Sequence, residues 1–329
     1  MKNYTIKDIA KRAGVGTTTV SRVLNNHPYV SEEKRDKVLQ AIEDLNYRPN
    51  KNAKWLRESS SGIVGFLTDE VATTPFAVDI IRGAQEAASE RDYVLMVMNT
   101  GKDMQDAEAA VEFLLERQVA GIVYAAMFHQ EVQLPDNIYQ TPTALANCFV
   151  DDDSLPAAVP DEFVGGYRAT KRLLKAGHRR IALLNVFPDT IPAAVGRLAG
   201  YKAALAEHDI AFDATLIDTG WDTSQEVFTT TQQMLQMSNR PTGFFAGNDR
   251  IAMGIFVAIK DMGLRIPEDV GVVGFDNQES VARYLIPALT TIQLPHYEMG
   301  RWAFDRLFAE DDDPIREKID CALVERKSV

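Results

Sequence analysis

Thr5-Ile6-Lys7-Asp8-Ile9-Ala10-Lys11-Arg12-Ala13-Gly14-Val15-Gly16-Thr17-Thr18-Thr19-Val20-Ser21-Arg22-Val23-Leu24-Asn25 is the stretch whose reading decides the fold. Ile6, Ile9, Ala10 and Ala13 recur at helical spacing, and Thr5 followed three positions later by Asp8 is a variant of the capping box. Gly14 supplies a reversal that a residue with a side chain resists. Val15, Val20, Val23 and Leu24 then give a second helix its apolar stripe. Its opposite face carries Thr17, Thr18, Ser21, Arg22 and Asn25, side chains that hydrogen-bond to base edges and phosphates. Two short helices joined at a glycine, with such a face left free, predict a helix-turn-helix.

Working outward, Ser31 is an N-cap candidate for a third helix, with Glu32 and Glu33 in its first turn and Val38, Ala41, Ile42 and Leu45 inside. A small helical bundle would show the same pattern without binding DNA. Charge separates the two readings. Residues 1–57 hold twelve Lys and Arg against six Asp and Glu, a net of +6, which leaves −18 on the rest of a chain whose total is −12. Positive charge is concentrated where a polyanion would lie. Residues 46–61 read as a connector: Pro49 ends the preceding helix, Asn50 caps a further helix too short to be stable alone, and Ser59-Ser60-Ser61 reads as linker. The expected organisation is a head over 1–46, a hinge helix and linker over 47–60, and a body over 61–329.

In the body, apolar runs alternate with amphipathic helices. Ile63–Leu67, Val94–Met98 and Ala120–Tyr124 are separated by helices near 76–91 and 105–117. After Asp161 the rhythm restarts: helix 163–176, strand 180–184, helix 197–207, strand 215–218, helix 223–237, strand 243–246, helix 249–262 and strand 270–275. Runs of this type predict parallel sheets covered on both faces, here as two α/β lobes. Ligands of such sheets sit beyond the carboxyl ends of the strands, so a cleft between the lobes is the expected site.

At 329 residues the chain can bury a large core. Cys148 and Cys321 are far apart and lack metal-ligand spacing, so neither a disulfide framework nor a metal site is expected. No apolar segment suggests a signal peptide or a spanning helix, and a cytoplasmic protein without membrane contact is the expectation. Enzyme readings find no dinucleotide fingerprint, no phosphate-binding loop and no nucleophile elbow. No catalytic residues and no cofactor are therefore expected. A transport-type binding protein would share the two lobes but have no basic head.

Together the segments resemble the lactose and galactose repressor family (LacI/GalR) over essentially the whole chain. The resemblance is carried by Thr5-Ile6-Lys7-Asp8-Ile9-Ala10, Gly14-Val15, Thr19-Val20-Ser21-Arg22-Val23-Leu24-Asn25, Val30-Ser31, Asn46-Tyr47-Arg48-Pro49-Asn50, Ala53 with Leu56, Gly177-His178-Arg179-Arg180-Ile181, Arg197-Leu198-Ala199-Gly200-Tyr201, Asn248-Asp249, Val272-Val273-Gly274-Phe275-Asp276 and Leu289-Thr290-Thr291-Ile292. It implies an all-α helix-turn-helix head, a two-lobe body like a periplasmic binding protein, and a homodimer on a pseudo-palindromic double-stranded operator. The residues it sets against DNA are Thr17, Thr18, Ser21, Arg22, Asn25, Tyr29, Asn50, Ala53, Lys54 and Leu56, with Leu56 as a wedge opening the minor groove. Two departures stand out. Gly16 replaces the frequent serine cap, at a cost of a few tenths of a kcal/mol, and Trp55 is bulkier than usual for the connector.

The same resemblance implies a small effector between the lobes. The matching positions are Asn147, Arg197, Trp221, Asn248 and Asp276, with Asp69, Phe76 and His296 as weaker candidates. Several side chains that donate and accept, with one aromatic face, suit a mono- or disaccharide. Arg197 has the alternative of an ion pair at a helix start, Trp221 that of a core residue, and His296 that of a surface histidine. A purine effector or a protein corepressor is the rival for the cleft.

Overall fold

The computed structural model describes residues 4–24, 27–47, 61–73, 77–101, 103–219, 224–310 and 316–329. The chain divides into two compact units, Met1–Ser61 and Gly62–Val329. The connector helix expected from Asn50 lies outside the described residues.

The head is three helices, α1 (Ile6–Ala13), α2 (Thr17–Leu24) and α3 (Glu32–Asp44). Asp8 reaches back to the start of α1, accepting from the Thr5 backbone N–H at 2.8 Å and its hydroxyl at 2.7 Å. Gly14 ends α1 in the left-handed region, φ 67°, and the Val15 N–H closes the turn on the Ala10 carbonyl at 3.0 Å. This is the conformation that makes glycine useful there. Ile9, Ala10, Ala13, Val20, Val23, Val38 and Ala41 form the core, with Val15, Leu24, Ile42 and Leu45 at its margin. Ser31 takes the N-cap position of α3 but makes no side-chain cap bond, contrary to the expectation. Its carbonyl still accepts from Lys34 and Arg35.

The body has two six-stranded sheets. The first lobe holds β1 (Ile63–Thr68), α4 (Val78–Glu90), β2 (Val94–Asn99), α5 (Met104–Leu115), β3 (Ile122–Glu131), β4 (Thr143–Phe149) and β5 (Ala157–Pro160). The chain then crosses to the second lobe: α6 (Glu162–Lys175), β6 (Ile181–Leu184), α7 (Pro192–Glu207), β7 (Ile217–Asp218), α8 (Ser224–Leu235), β8 (Gly243–Ala246), α9 (Asp249–Asp261), β9 (Gly271–Asp276), α10 (Glu279–Ala282) and β10 (Thr290–Gln293). It returns for α11 (His296–Arg306) and β11 (Arg316–Ile319), and crosses once more to β12 (Leu323–Val324). The strand orders are β11-β5-β4-β3-β1-β2 and β12-β10-β9-β8-β6-β7, parallel throughout except for β12 against β10. Helices on both faces bury these apolar strands, as their composition requires.

The structure adds β4, β5, β10, β11, β12, α10 and α11 to the elements expected from the sequence, and two expected strands differ in detail. β7 is only two residues long, because Asp213 accepts from the Thr215 N–H and folds Ala214–Leu216 into a short 3-10 turn. β3 runs well past Tyr124, with a register shift against β4 between Ala125 and Gln130. Such an irregularity re-aims side chains at a strand end.

Candidate functional site

The exposed face of the head comes from α2. Thr17, Thr18 and Arg22 are exposed and Ser21 is half-buried, while Val20 and Val23 point into the core. Positions 17, 18, 21 and 22 share one side of a helix at 3.6 residues per turn. Gly16 caps the helix with its carbonyl, which accepts from Thr19 and Val20. Tyr29 is 85% exposed, its ring 5.5 Å from that of His27. Asn25, Asn50, Ala53, Lys54 and Leu56 lie outside the described residues.

In the body, a cavity of about 530 Å³ opens beyond the carboxyl ends of β3, β4, β8 and β9, where parallel sheets place ligands. Of the residues expected in the cleft, Asn147, Arg197, Asn248 and Asp276 line it. Phe76 and Trp221 fall outside the described residues. Asp69 and His296 are not on the wall. Asp69 instead ties strand ends together, its Oδ1 accepting from the backbone N–H of Glu70 at 2.5 Å and of Met127 at 3.0 Å. His296 is buried rather than on the surface, at the start of α11. Burial depresses its pKa to about 4, with the Arg197 charge acting in the same sense against the opposing pull of Glu162.

Helix packing builds the centre of this wall. α6 and α7 touch backbone to backbone at Gly166 and Gly200, where an added Cβ would meet the Arg197 carbonyl oxygen at 2.4 Å and that of Phe163 at 2.1 Å. That approach sets Arg197 against Glu162, the residue at the first crossing between lobes. Arg197 Nε donates to Glu162 Oε2 at 2.8 Å and Nη2 to Oε1 at 3.3 Å; Nη1 donates to the Gly247 carbonyl. The guanidinium also stacks 3.8 Å over the Phe275 ring. Burial disfavours charge on both groups, yet their attraction outweighs it, holding the Glu162 carboxyl low and the Arg197 guanidinium high. Arg197 is thus anchored mainly by an ion pair, the alternative to direct hydroxyl contact. His129 Nδ1 lies 3.5 Å from the same carboxylate.

Around this pair stand groups whose hydrogen-bonding capacity the described residues do not fill. Asn147, at φ 60°, donates from Nδ2 to the carbonyls of Ala126 at 3.0 Å and Met127 at 3.1 Å, and its buried Oδ1 has no hydrogen-bond partner. Asp276 ends β9 at φ 103°, with Oδ2 accepting from Gln278 at 3.3 Å and a buried Oδ1 again without a hydrogen-bond partner. Arg197 Nη2 is 4.0 Å from that oxygen. Burial pushes the Asp276 carboxyl well up; Arg197 opposes this and the nearby Asp249 charge reinforces it. Strained positive-φ residues at strand ends are the kind of backbone that functional sites retain. Asn248 caps α9, its Oδ1 accepting from the Ile251 N–H at 2.8 Å, which leaves its NH₂ to donate.

The sequence reading missed Glu162, His129, Phe128, Phe187 and Arg250, all on the wall. Glu162 sits thirty-five residues from its partner, so no local spacing marks it. Phe128 and His129 lie within the β3 irregularity. Among the described residues, no group of three or more His, Cys, Asp and Glu side chains could hold a metal ion, and no helix is long and apolar enough to cross a membrane.

Two family models match the chain: bacterial regulatory proteins of the lacI family over residues 5–50, and periplasmic binding proteins and sugar binding domain of the LacI family over residues 61–327. The HTH-type transcriptional repressor PurR of Vibrio atlanticus is 34% identical, over 99% of this chain and 98% of its own length. The sucrose operon repressor of Shigella flexneri is 35% identical, over 98% and 99%. Among solved structures, the lac repressor dimer bound to operator and an anti-inducer superposes with a TM-score of 0.72 at 28% identity, covering 99% of each chain. The complex of the transcriptional regulator CelR with cellobiose gives 0.69 at 29%, covering 99% of this chain and all of that one.

Proposed function

This chain belongs to the LacI family of bacterial regulatory proteins and is a DNA-binding repressor; on that premise we propose that its hold on DNA is set by a mono- or disaccharide bound between the lobes. The observation that carries the proposal is the pair of buried oxygens on the cavity wall, Asn147 Oδ1 and Asp276 Oδ1, which have no hydrogen-bond partner among the described residues. An unsatisfied buried polar group costs about 1–3 kcal/mol. A ligand carrying several hydroxyls supplies donors to both. A carboxyl pushed toward its neutral form, as Asp276 is, donates as well as accepts, which again matches a hydroxyl. The cavity volume of about 530 Å³ is within the ordinary range for small-molecule sites. The sucrose operon repressor and the cellobiose complex among its relatives support the same class.

Binding would stabilise one arrangement of the lobes over another, a population shift that requires the ligand to prefer one of them. Glu162, at a crossing between lobes with His129 on one side and Arg197 on the other, is suited to sense that change. In the head, Thr17, Thr18, Ser21 and Arg22 would read bases, with Tyr29 beside them. Asn25 and the connector residues Asn50, Ala53, Lys54 and Leu56 would complete the contact, two heads occupying a pseudo-palindromic operator. Exposed Met253 and Val257 on α9, with Tyr284 and Ile286 beyond α10, give the body an apolar face for homodimerisation.

A purine is the second reading. Phe128 and Phe187, both exposed, reach the cavity from different lobes, and two aromatic faces can sandwich a planar base. A thermal-shift screen of mono- and disaccharides and purines, followed by gel shifts with each hit, separates the two. Asp276→Ala should remove the response to the effector and spare DNA binding; an unaltered response takes Asp276 out of the site. Arg22→Ala should cost about 1–3 kcal/mol in specific operator affinity and far less in nonspecific binding. Equal losses on both would reject the assignment of Arg22 to base reading.

A further inference from the structure

The two arginines on the cavity wall differ in their partners among the described residues. Glu162 is neutralised by Arg197 at 2.8 Å. Burial drives the Asp276 carboxyl toward its uncharged form, and it raises Asp249 behind it to about 7. Arg250, the other arginine on the wall, is exposed, and among the described residues no carboxylate pairs with it. Elsewhere in the same body, Arg265, Arg283 and Arg301 hold carboxylates at 3.0, 2.9 and 2.5 Å. Among the described residues, Arg250 is thus the arginine of the cavity wall without a carboxylate partner.

Arg250 is the second residue of α9, a helix of 13 residues. Next to it, Asn248 holds its carboxamide oxygen on the Ile251 N–H and keeps its NH₂ available. α8 packs closely on the same helix: a Cβ at Gly254, one turn beyond Arg250, would meet Val227 Cγ1 at 2.7 Å, with the Ser224 carbonyl 3.4 Å away. Ser224, first in α8, is also on the wall. Donors thus gather where α8 and α9 begin, while the two unsatisfied oxygens lie at the ends of β4 and β9. A guanidinium fork, a hydroxyl, an amide NH₂ and the positive end of a helix are the groups that bind a phosphate. Buried acceptors bind hydroxyls.

We propose that the effector is a phosphorylated saccharide, with its hydroxyls on Asn147 and Asp276 and its phosphate monoester on Arg250, Asn248 and Ser224. This rests on the saccharide reading above and narrows it to an anionic class.

The test is isothermal titration calorimetry on the full-length protein at fixed salt. The probes are hexoses and disaccharides, their phosphate monoesters, a nucleoside 5′-monophosphate and inorganic phosphate. At least one sugar phosphate should bind about tenfold or more tightly than the same sugar without phosphate. Arg250→Gln should bring that ratio to about one, and Arg250→Lys should keep part of it; circular dichroism and melting curves check that both variants fold. Inorganic phosphate should compete with the sugar phosphate and not with the free sugar. Equal affinity for a sugar with and without phosphate overturns the proposal, as does a ratio that Arg250→Gln leaves intact. A variant that instead weakens dimerisation, with the ratio intact, assigns Arg250 to the subunit contact. Tight binding of the nucleotide alone overturns the saccharide as its carrier. Binding of free sugars only sinks the phosphate but not the saccharide; failure of every saccharide sinks both.

Discussion

Head and body bury different things. Among the described residues the head's core is wholly apolar, from Ile9 to Ala41, and its polar groups stay at the surface. The body buries Asn147, Glu162, Arg197, Asp249, Asp276 and His296 to 5% exposure or less. Buried charge is expensive unless paired, and a buried acceptor without a donor is a standing cost. A unit that recognises its partner with an outer face has no use for such groups. A unit that must enclose a polar molecule and change arrangement on doing so keeps them inside, incompletely satisfied until the ligand arrives.

Removing one member of an ion pair should break this contrast most sharply. Glu162→Ala takes the hydrogen-bonded carboxylate from the buried Arg197 and leaves it only Asp276, 4.0 Å away, among the described carboxylates within salt-bridge distance, which should cost the body about 3–5 kcal/mol, read as a lower urea midpoint for its transition. In the head, Arg12 and Asp44 are also paired, at 2.7 Å, but on the surface. Asp44→Ala should shift the head's transition too little to resolve, since exposed pairs contribute little. If the two substitutions are equally mild, the distinction between the two interiors fails.

Proton uptake tests the same contrast. Burial lifts the Asp249 pKa to about 7, although the Thr291 hydroxyl at 2.6 Å and the Gln278 N–H at 2.7 Å work against the shift. Folding therefore takes up a proton between the unfolded pKa near 3.8 and about 7. Its contribution is fully present below that window and is lost as pH rises through 7. Asp276 acts in the same sense. His296, depressed to about 4, acts oppositely and loses stability as pH falls below the ordinary histidine value. The difference between wild type and Asp249→Asn isolates one term. It should grow in favour of wild type by about 1.4 kcal/mol per pH unit as pH falls from 7 toward 4. A difference independent of pH would mean that Asp249 is charged throughout. The head should show no such slope.

The two regions also differ in how far sequence reveals them. The head is legible almost to the residue, because apolar spacing, a reversal glycine and local charge are all short-range signals; only the Ser31 hydroxyl departs from its expected bond. In the body, the strand and helix rhythm is plain over β1–β3 and β6–β9, whereas β4, β5, β10 and the returning α11, β11 and β12 are not among the expected segments. The cavity wall is legible only in part: Asn248 caps α9, Asp276 ends β9 and both sit in recognisable motifs, whereas Glu162 matters through a residue thirty-five positions away. His129 and Phe128 reach the wall within a register shift in β3 that no alternation of apolar residues foretells. Long-range pairing and irregular backbone are fixed by tertiary packing, and those are the features the sequence hides.

The smallest effect expected to be resolvable is at Gly14, and it isolates backbone conformation from everything else. An added Cβ there meets nothing within 4 Å, so sterics with the rest of the head contribute no penalty to Gly14→Ala. What remains is the left-handed φ of 67°, which costs an L-residue about 1–2 kcal/mol, part of it returned because alanine restricts the unfolded chain. The head should therefore melt a few degrees lower while the body's transition stays put. Gly14→Asn should lose less, since asparagine tolerates that region. If alanine and asparagine cost the same, the penalty does not come from φ. The turn would then be holding α1 against α2 by some contact of the glycine itself, and the reading of Gly14 as a purely conformational residue would have to be abandoned.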